Sequence, residues 1–406
     1  MIRTRIRLST TAPFGARTLS RALIAGAALA AASASTPTAL AGPLSPPPGP
    51  PSDTFNNLEY KTLRQVEPRF PINRLNAGAF GDFEISRPGS YYLTGNIGPA
   101  AGLPATISIN TPGKVTIDLN GFTVEGAGFS GTGIGAFAGP SQITIRNGSI
   151  QRYDGPGVDV AENLVLEDGT IAECGNAADP AVRTAIGSRI ERCQILRSPG
   201  RAIEAAESVL VAETEIIETG DTAVEFFGAN CELRESRIRF CNGPVAVRAF
   251  DAVITLNEVA DVQSGLEVFE GARVHRNVFS RGQGNAITAI GAHNVVEQNT
   301  VTEFNAAGIL IDNNGFNNRV LGNDVSRCGV GIISDGRDNV IDENRSAESG
   351  VGVIINPGNN DLVTRNTAFF NAAANFNIGG GNNDAVIIVA PGGGFGLNQP
   401  WANFEF

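Results

Sequence analysis

Glu204, Glu225 and Glu267 are separated by 21 and 42 residues in a chain of 406. If the chain winds once every 21 or so residues, the three carboxylates stack on one face. Glu204 and Glu225 are then neighbours about 5 Å apart, and Glu225 and Glu267 stand two turns apart at about 10 Å. The first separation suits the paired carboxylates of a retaining glycosidase, and the second lies at the upper edge for an inverting one. Like charges that close are expected to raise one carboxyl pKa, as a general acid requires. These three are the candidate catalytic residues. The same stack is also what a wound chain needs for a soluble outer surface.

The glutamates belong to a longer series. Counting by turns gives an outward column of Asp159, Arg183, Glu204, Glu225, Ala246, Glu267 and Thr288. Two residues further along runs a second outward column of Ala161, Ala185, Ala206, Phe227, Arg248, Phe269 and Ile290. Exposed aromatic faces beside stacked charges suit a sugar, with rings to pack on and charges to orient hydroxyls. Asp159, Arg183, Phe227, Arg248 and Phe269 are therefore candidate substrate-binding residues. His275 also faces outward, one turn from Glu297, so an acid or base pair between them is expected to be within reach.

The elements that position these residues are written into the chain twice per turn. One half-pattern is V-x-x-N-x-V, in "ITLNEV" (254–259), "VHRNVF" (274–279), "VEQNTV" (296–301) and "VLGNDV" (320–325). The other is a small-residue step into V-x-V, in "SGLEVF", "NAITAI", "CGVGIISD" (328–335) and "SGVGVIIN" (349–356). Both alternate as strands do, and no stretch shows a helical period. Short strands repeating about every 22 residues predict a single-stranded parallel β-helix, an all-β solenoid of about 12 coils over 106–378. The recurrent Asn place reads Asn120, Asn147, Asp168, Cys193, Thr214, Ser236, Asn257, Asn277, Asn299, Asn323, Asn344 and Asn366. It predicts a ladder of side-chain amides at one bend.

These coils, together with "VTIDLNGFTVEG", "ITIRNGSI" and "LVLEDGTI", resemble the right-handed parallel β-helix repeat proteins with a pectin-lyase-like fold. The opening "GDFEISRPGSYYLTGNI" and the ending "PWANFEF" resemble those of exported bacterial members. The family includes polysaccharide lyases, glycoside hydrolases, uronate epimerases, phage tailspikes and a periplasmic copper-delivery component, so the resemblance implies the fold and leaves the activity open. The polygalacturonase-like set of N-T-D, paired D-D, G-H-G and R-I-K is missing, and "RIRF" at 237–240 matches it only loosely. No aspartate and histidine cluster of a uronate epimerase is present. A calcium-dependent lyase has no local motif to exclude it. If the chain is an enzyme, a polysaccharide lyase or glycoside hydrolase is the expected class; otherwise it binds polysaccharide, or serves as a structural or adhesion protein of a surface or matrix.

The ends complete the picture. Residues 1–41 carry five arginines, no acid, and "ALIAGAALAAASA" before an A-x-A site, the pattern of a secretory signal cleaved after Ala41. Export to the periplasm, cell surface or medium is expected. Without that segment 25 basic residues face 41 acids, a net charge of −16, which argues against nucleic acid as a partner. No other stretch approaches the length of a membrane span, and the chain is expected to act as a monomer. A Pro-rich spacer follows at 42–53, with an N-terminal cap over 54–105 and a C-terminal cap over 379–406, where Trp401, Phe404 and Phe406 are expected to pack. Longer steps mark insertions at 125–133, 174–181 and 312–318. "DNNGFNN" and "GGGNND" suggest calcium as a cofactor, without the tandem nonapeptide that would define such sites. Cys174, Cys241 and Cys328 share one place three and four coils apart, too far for disulfides.

Overall fold

The computed structural model describes residues 69–73, 83–99, 104–136, 139, 142–389 and 400–406. The secretory signal, the Pro-rich spacer and residues 54–68 lie outside the described residues. The described chain is an all-β parallel solenoid without helix, and its coils show as a 14-stranded parallel sheet running from Phe83–Ile85 to Ala374–Ile378. Winding therefore starts before residue 106: Phe83–Ile85 pairs with Ala105–Ile109 as any later rung does.

Each coil contributes three short strands. In one coil these are Leu266–Val268, Arg273–His275 and Val278–Gly282. Their counterparts in the next coil are Ile287–Ala289, Val295–Glu297 and Thr300–Phe304, paired in parallel at Leu266↔Ile287, Val274↔Val296 and Phe279↔Val301. The period-2 alternation turns one set of side chains inward. Ile203, Val224, Val247, Leu266, Ile287 and Ile309 form one such inner column, and all are buried. Burying each is worth about 1.5–3 kcal/mol, so the stack of aliphatic rungs dominates stability.

The bends are made by residues in the left-handed region, such as Arg276 (φ 54°) and Arg281 (φ 58°) in one coil. Directly after the first of these sits the ladder residue. Asn257, Asn277, Asn299, Asn323, Asn344, Asn366 and Asn403 are all buried. Each amide from Asn257 to Asn366 donates to the Oδ1 of the next, at 2.9–3.1 Å. Oδ1 also takes the backbone N–H of the previous rung, as Asn299 N does toward Asn323 at 2.9 Å. The seventh rung is supplied by the C-terminal strand Asn403–Glu405, which pairs with Thr367–Phe369.

In three early coils the register differs from the sequence expectation. Gly148 pairs with Gly169, while Asn147 (φ 59°) and Asp168 (φ 52°) hold the left-handed position that Arg192 occupies one coil later. Asn120 (φ 52°) takes the same conformation. Asn and Asp tolerate that conformation because their short polar side chains bond locally, so Asn120, Asn147 and Asp168 form the bend itself and are not ladder rungs. A second polar ladder, invisible to the counting, runs at the preceding bend of each coil through Asn294, Asn318, Asn339 and Asp361. At the C-terminal end the expected Trp401 packing is replaced by Ala402 and Asn403, which are buried, whereas Trp401 is exposed with the Arg365 guanidinium 5.0 Å from its ring centre. All five cysteines are buried and unbridged.

Candidate functional site

The outer face of the 14-stranded sheet gathers the candidate residues. Its central outward column reads Asp159, Arg183, Glu204, Glu225, Arg248, Glu267 and Thr288 on seven consecutive rungs. Glu204 and Glu225 are directly opposed, as their spacing predicts. The rung between Glu225 and Glu267, however, is filled by Arg248. Ala246, which counting places there, is fully buried at the bend before the strand Val247–Ala249. The coil after Glu225 is longer than its neighbours, at 23 residues, and the next is shorter, at 19; a fixed step of 21 therefore slips by two and then recovers.

That slip changes the chemistry. Arg248 donates to Glu225 at 3.3 Å and to Glu267 at 3.0 and 3.1 Å. Arg201, from the bend three residues before Glu204, lies 3.2 Å from Glu204 and donates to Glu225 at 2.9 Å. Arg183 donates to Asp159 at 3.3 Å and lies 3.5 Å from Glu204. The result is a ladder of acids and guanidinium groups in which every carboxylate has an arginine. Glu204 and Glu225 still oppose each other directly, with the Arg201 guanidinium in contact with both. For Arg183 and Arg248, burial works against the charged form, and the surrounding carboxylates outweigh it and hold both guanidinium pKa values above the ordinary range.

The second column moves with the same correction. Phe250 occupies the rung assigned to Arg248, giving Phe227, Phe250 and Phe269 on successive coils. The rings of Phe250 and Phe269 stack at 4.2 Å between centroids and 10° between planes. Phe227 is 50 % exposed and Phe250 36 %. Below Phe269 the column passes through Ile290 to Asp312 and Asp335, where burial and then Asp312 push the Asp335 carboxyl up.

Comparison with known proteins bears on the winding. The family model "Right handed beta helix region" matches residues 181–325, which carry the face from Arg183 to Asp312. Over those residues the chain matches that family, and the described coils on either side continue the same parallel β-helix. No curated protein matches its sequence. Among solved structures, the β-helix is similar to the A-module of the Azotobacter vinelandii mannuronan C-5 epimerase AlgE6, at 13 % identity and a TM-score of 0.46, covering 82 % of this chain and 97 % of that one. It is also similar to a tailspike protein of the E. coli bacteriophage HK620 solved with a hexasaccharide, at 14 % identity and a TM-score of 0.41, covering 77 % and 64 %. The catalytic domain of a GH87 α-1,3-glucanase, solved with nigerose, gives 12 % identity, a TM-score of 0.40 and coverages of 74 % and 64 %. Likeness at this level concerns the fold alone.

Other parts of the β-helix were foreseen unevenly. The 174–181 insertion does reach the ladder: Asp179 accepts from Arg183 at 2.9 Å and the Ala178 carbonyl accepts from Arg201 at 3.3 Å. Asp179, Arg201 and Phe250 escaped sequence reading. Arg201 and Asp179 sit in bends, where no alternation marks direction, and Phe250 was hidden by the uneven coil. His275 Nδ1 lies 3.3 Å from Glu297 Oε1, and the same carboxylate accepts from Arg273 at 2.5 and 2.7 Å. Asp312, in the 312–318 loop considered for calcium, accepts from the backbone and side chain of Asn314 at 2.7 and 3.0 Å, which closes a turn. Among the described residues no three or more His, Cys, Asp or Glu side chains gather to hold a metal, and no helix is long and apolar enough to cross a membrane.

Proposed function

We propose that this β-helix is an exported protein that binds extracellular polysaccharide on the outer face of its 14-stranded sheet. Phe227, Phe250 and Phe269 supply an apolar strip for the C–H faces of sugar rings. Asp159, Arg183, Glu204, Glu225, Arg248 and Glu267 supply fixed donors and acceptors for hydroxyls. One observation carries the reading: the stacked Phe250 and Phe269 rings sit on the same two coils as the Arg248 and Glu267 ion pair. An apolar platform bordered by preorganised charge suits an amphipathic pyranose.

The geometry favours binding over cleavage. A hydrolytic pair needs one protonated carboxylic acid and one free carboxylate, whereas Glu204, Glu225 and Glu267 all face arginines. Retention on a panel of immobilised polysaccharides tests the reading, with an assay for reducing ends and unsaturated products run alongside. Retention without products is expected, and Phe227→Ala with Phe269→Ala should weaken it. Products that vanish with Glu225→Gln would instead establish catalysis at the ladder. A chain retained by no polysaccharide would leave the rigid solenoid body as the function, in a surface or matrix.

A further inference from the structure

A second groove, of about 370 Å³, lies on the bend that leads into the 14-stranded sheet, across the strand Leu266–Val268 from the phenylalanine strip. Its side chains come from four consecutive coils: Asn242, Gln263, Gln283 and Asn305 form an amide row, with Asp261 and Arg281 beside it. Asn305 Nδ2 donates to Gln283 Oε1 at 2.7 Å, which leaves the Gln283 amide N–H groups and the Asn305 carbonyl oxygen to meet a ligand. An amide both donates and accepts, as a sugar hydroxyl does.

The charges in the groove cancel locally. Arg281 donates to both oxygens of Asp261, at 2.6 and 2.8 Å, and holds that carboxyl below its usual range. Glu303, on the same rim, faces Arg327 at 3.4 Å. No unpaired guanidinium is left to attract a polyanion. Phe240, the residue before the lining Cys241, is 49 % exposed and holds the left-handed bend position (φ 57°) that Asp261, Arg281 and Glu303 hold in the next three coils. Successive coils rise by about 4.8 Å, close to the advance of one residue in an extended pyranose chain.

We propose that this groove is a binding site for a neutral oligosaccharide lying along the solenoid axis, one sugar residue per coil, separate from the ladder and phenylalanine face. The test is calorimetric titration of the full chain with neutral oligosaccharides of the cello, xylo, manno and 1,3-gluco series, each long enough to span four coils, and with an oligogalacturonate. Two double variants separate the sites: Gln263→Ala with Gln283→Ala in the groove, and Phe227→Ala with Phe269→Ala on the face. Binding of a neutral oligosaccharide should persist in the face variant and fall by about tenfold or more, roughly 1.4 kcal/mol, in the groove variant. Asn242→Ala, at an exposed position, should weaken it in the same direction and provides a second readout if the double variant folds poorly. The site is overturned if the face variant binds no neutral oligosaccharide, if both groove variants titrate like the parent, or if oligogalacturonate binds the face variant as well as the neutral chains do. Loss in the groove variant with an unaffected face variant would count against the face and not against the groove.

Discussion

Arg201 donates a hydrogen bond of 2.9 Å to Glu225, whose side chain is only 8 % exposed, while Arg248 approaches the other carboxylate oxygen at 3.3 Å. The carboxylate is thus clamped from the bend on one side and from the next rung on the other. Removing Arg201 leaves a largely buried charge with half its partners, a loss of about 1–3 kcal/mol. Arg201→Ala should lower the melting temperature clearly more than Arg197→Ala, which breaks the solvent-exposed pair with Glu173 at 2.7 Å. Thermal melts followed by circular dichroism check this. Equal shifts in the two variants would show that Glu225 does not depend on the clamp.

The coil-to-coil stacking of Glu204 on Glu225 was legible in the sequence because strand alternation and an even step of 21 residues determine both direction and height. Where the step is uneven, counting fails in a specific way. The 23-residue coil after Glu225 carries one additional residue in the bend between Phe226 and Glu232 and a second in the bend ahead of Val247, which together bury Ala246 and turn Arg248 outward. One misplaced rung altered two columns: a bare glutamate stack became an ion-pair ladder, and a Phe, Arg, Phe strip became three phenylalanines. The small insertion was invisible because "VAVRAF" satisfies the alternating pattern in either register. Arg201 and the Asn294 to Asp361 ladder were missed for a different reason: bends have no periodicity, so direction there is decided by backbone hydrogen bonding.

The asparagine ladder has an energetic signature of its own. Asn323 Oδ1 accepts the Asn299 backbone N–H at 2.9 Å, and its Nδ2 donates to the Val296 carbonyl at 2.9 Å. Asn323→Ala removes both partners inside the solenoid, and the orphaned groups together should cost about 2–4 kcal/mol. Asn257→Thr should be far milder, because Thr214 and Ser236 already occupy two higher rungs with hydroxyls; Ser236 Oγ accepts the Thr214 N–H at 3.2 Å. Denaturant unfolding of the two variants checks the order. A larger loss for Asn257→Thr would mean that amide stacking, and not satisfaction of the backbone, is what the ladder contributes.

Burial sets the reactivity of the thiols. It pushes Cys174 up to about 12 and Cys193, Cys241 and Cys328 up to about 11, with Cys231 raised as well. Since the thiolate is the reactive form, the folded chain should resist a maleimide or disulfide reagent near pH 8, and all five thiols should react after unfolding in denaturant. Mass spectrometry of the labelled chain reads the count. Rapid modification of any cysteine in the native state would show that its coil opens locally.

Asp361 stands where the ladder above it places asparagine. It is fully buried; its carboxylate accepts from the Asn339 N–H at 2.8 Å and from Ser334 Oγ at 2.6 Å. Burial raises its pKa, the hydrogen bonds from Ser334 and Asn339 lower it, and burial prevails, so the folded-state value lies above the unfolded one of about 3.9. Between those two values the folded chain holds more protons than the unfolded one, so this group's contribution to stability falls as pH rises through the window and stays lost above it. Asp361→Asn keeps an acceptor for the Asn339 N–H and removes the titration. The variant should match the parent near pH 4 and exceed it in melting temperature at pH 7, with the gap opening across the window. A gap that stays constant with pH, or closes as pH rises, would show that Ser334 and Asn339 already compensate for the buried charge.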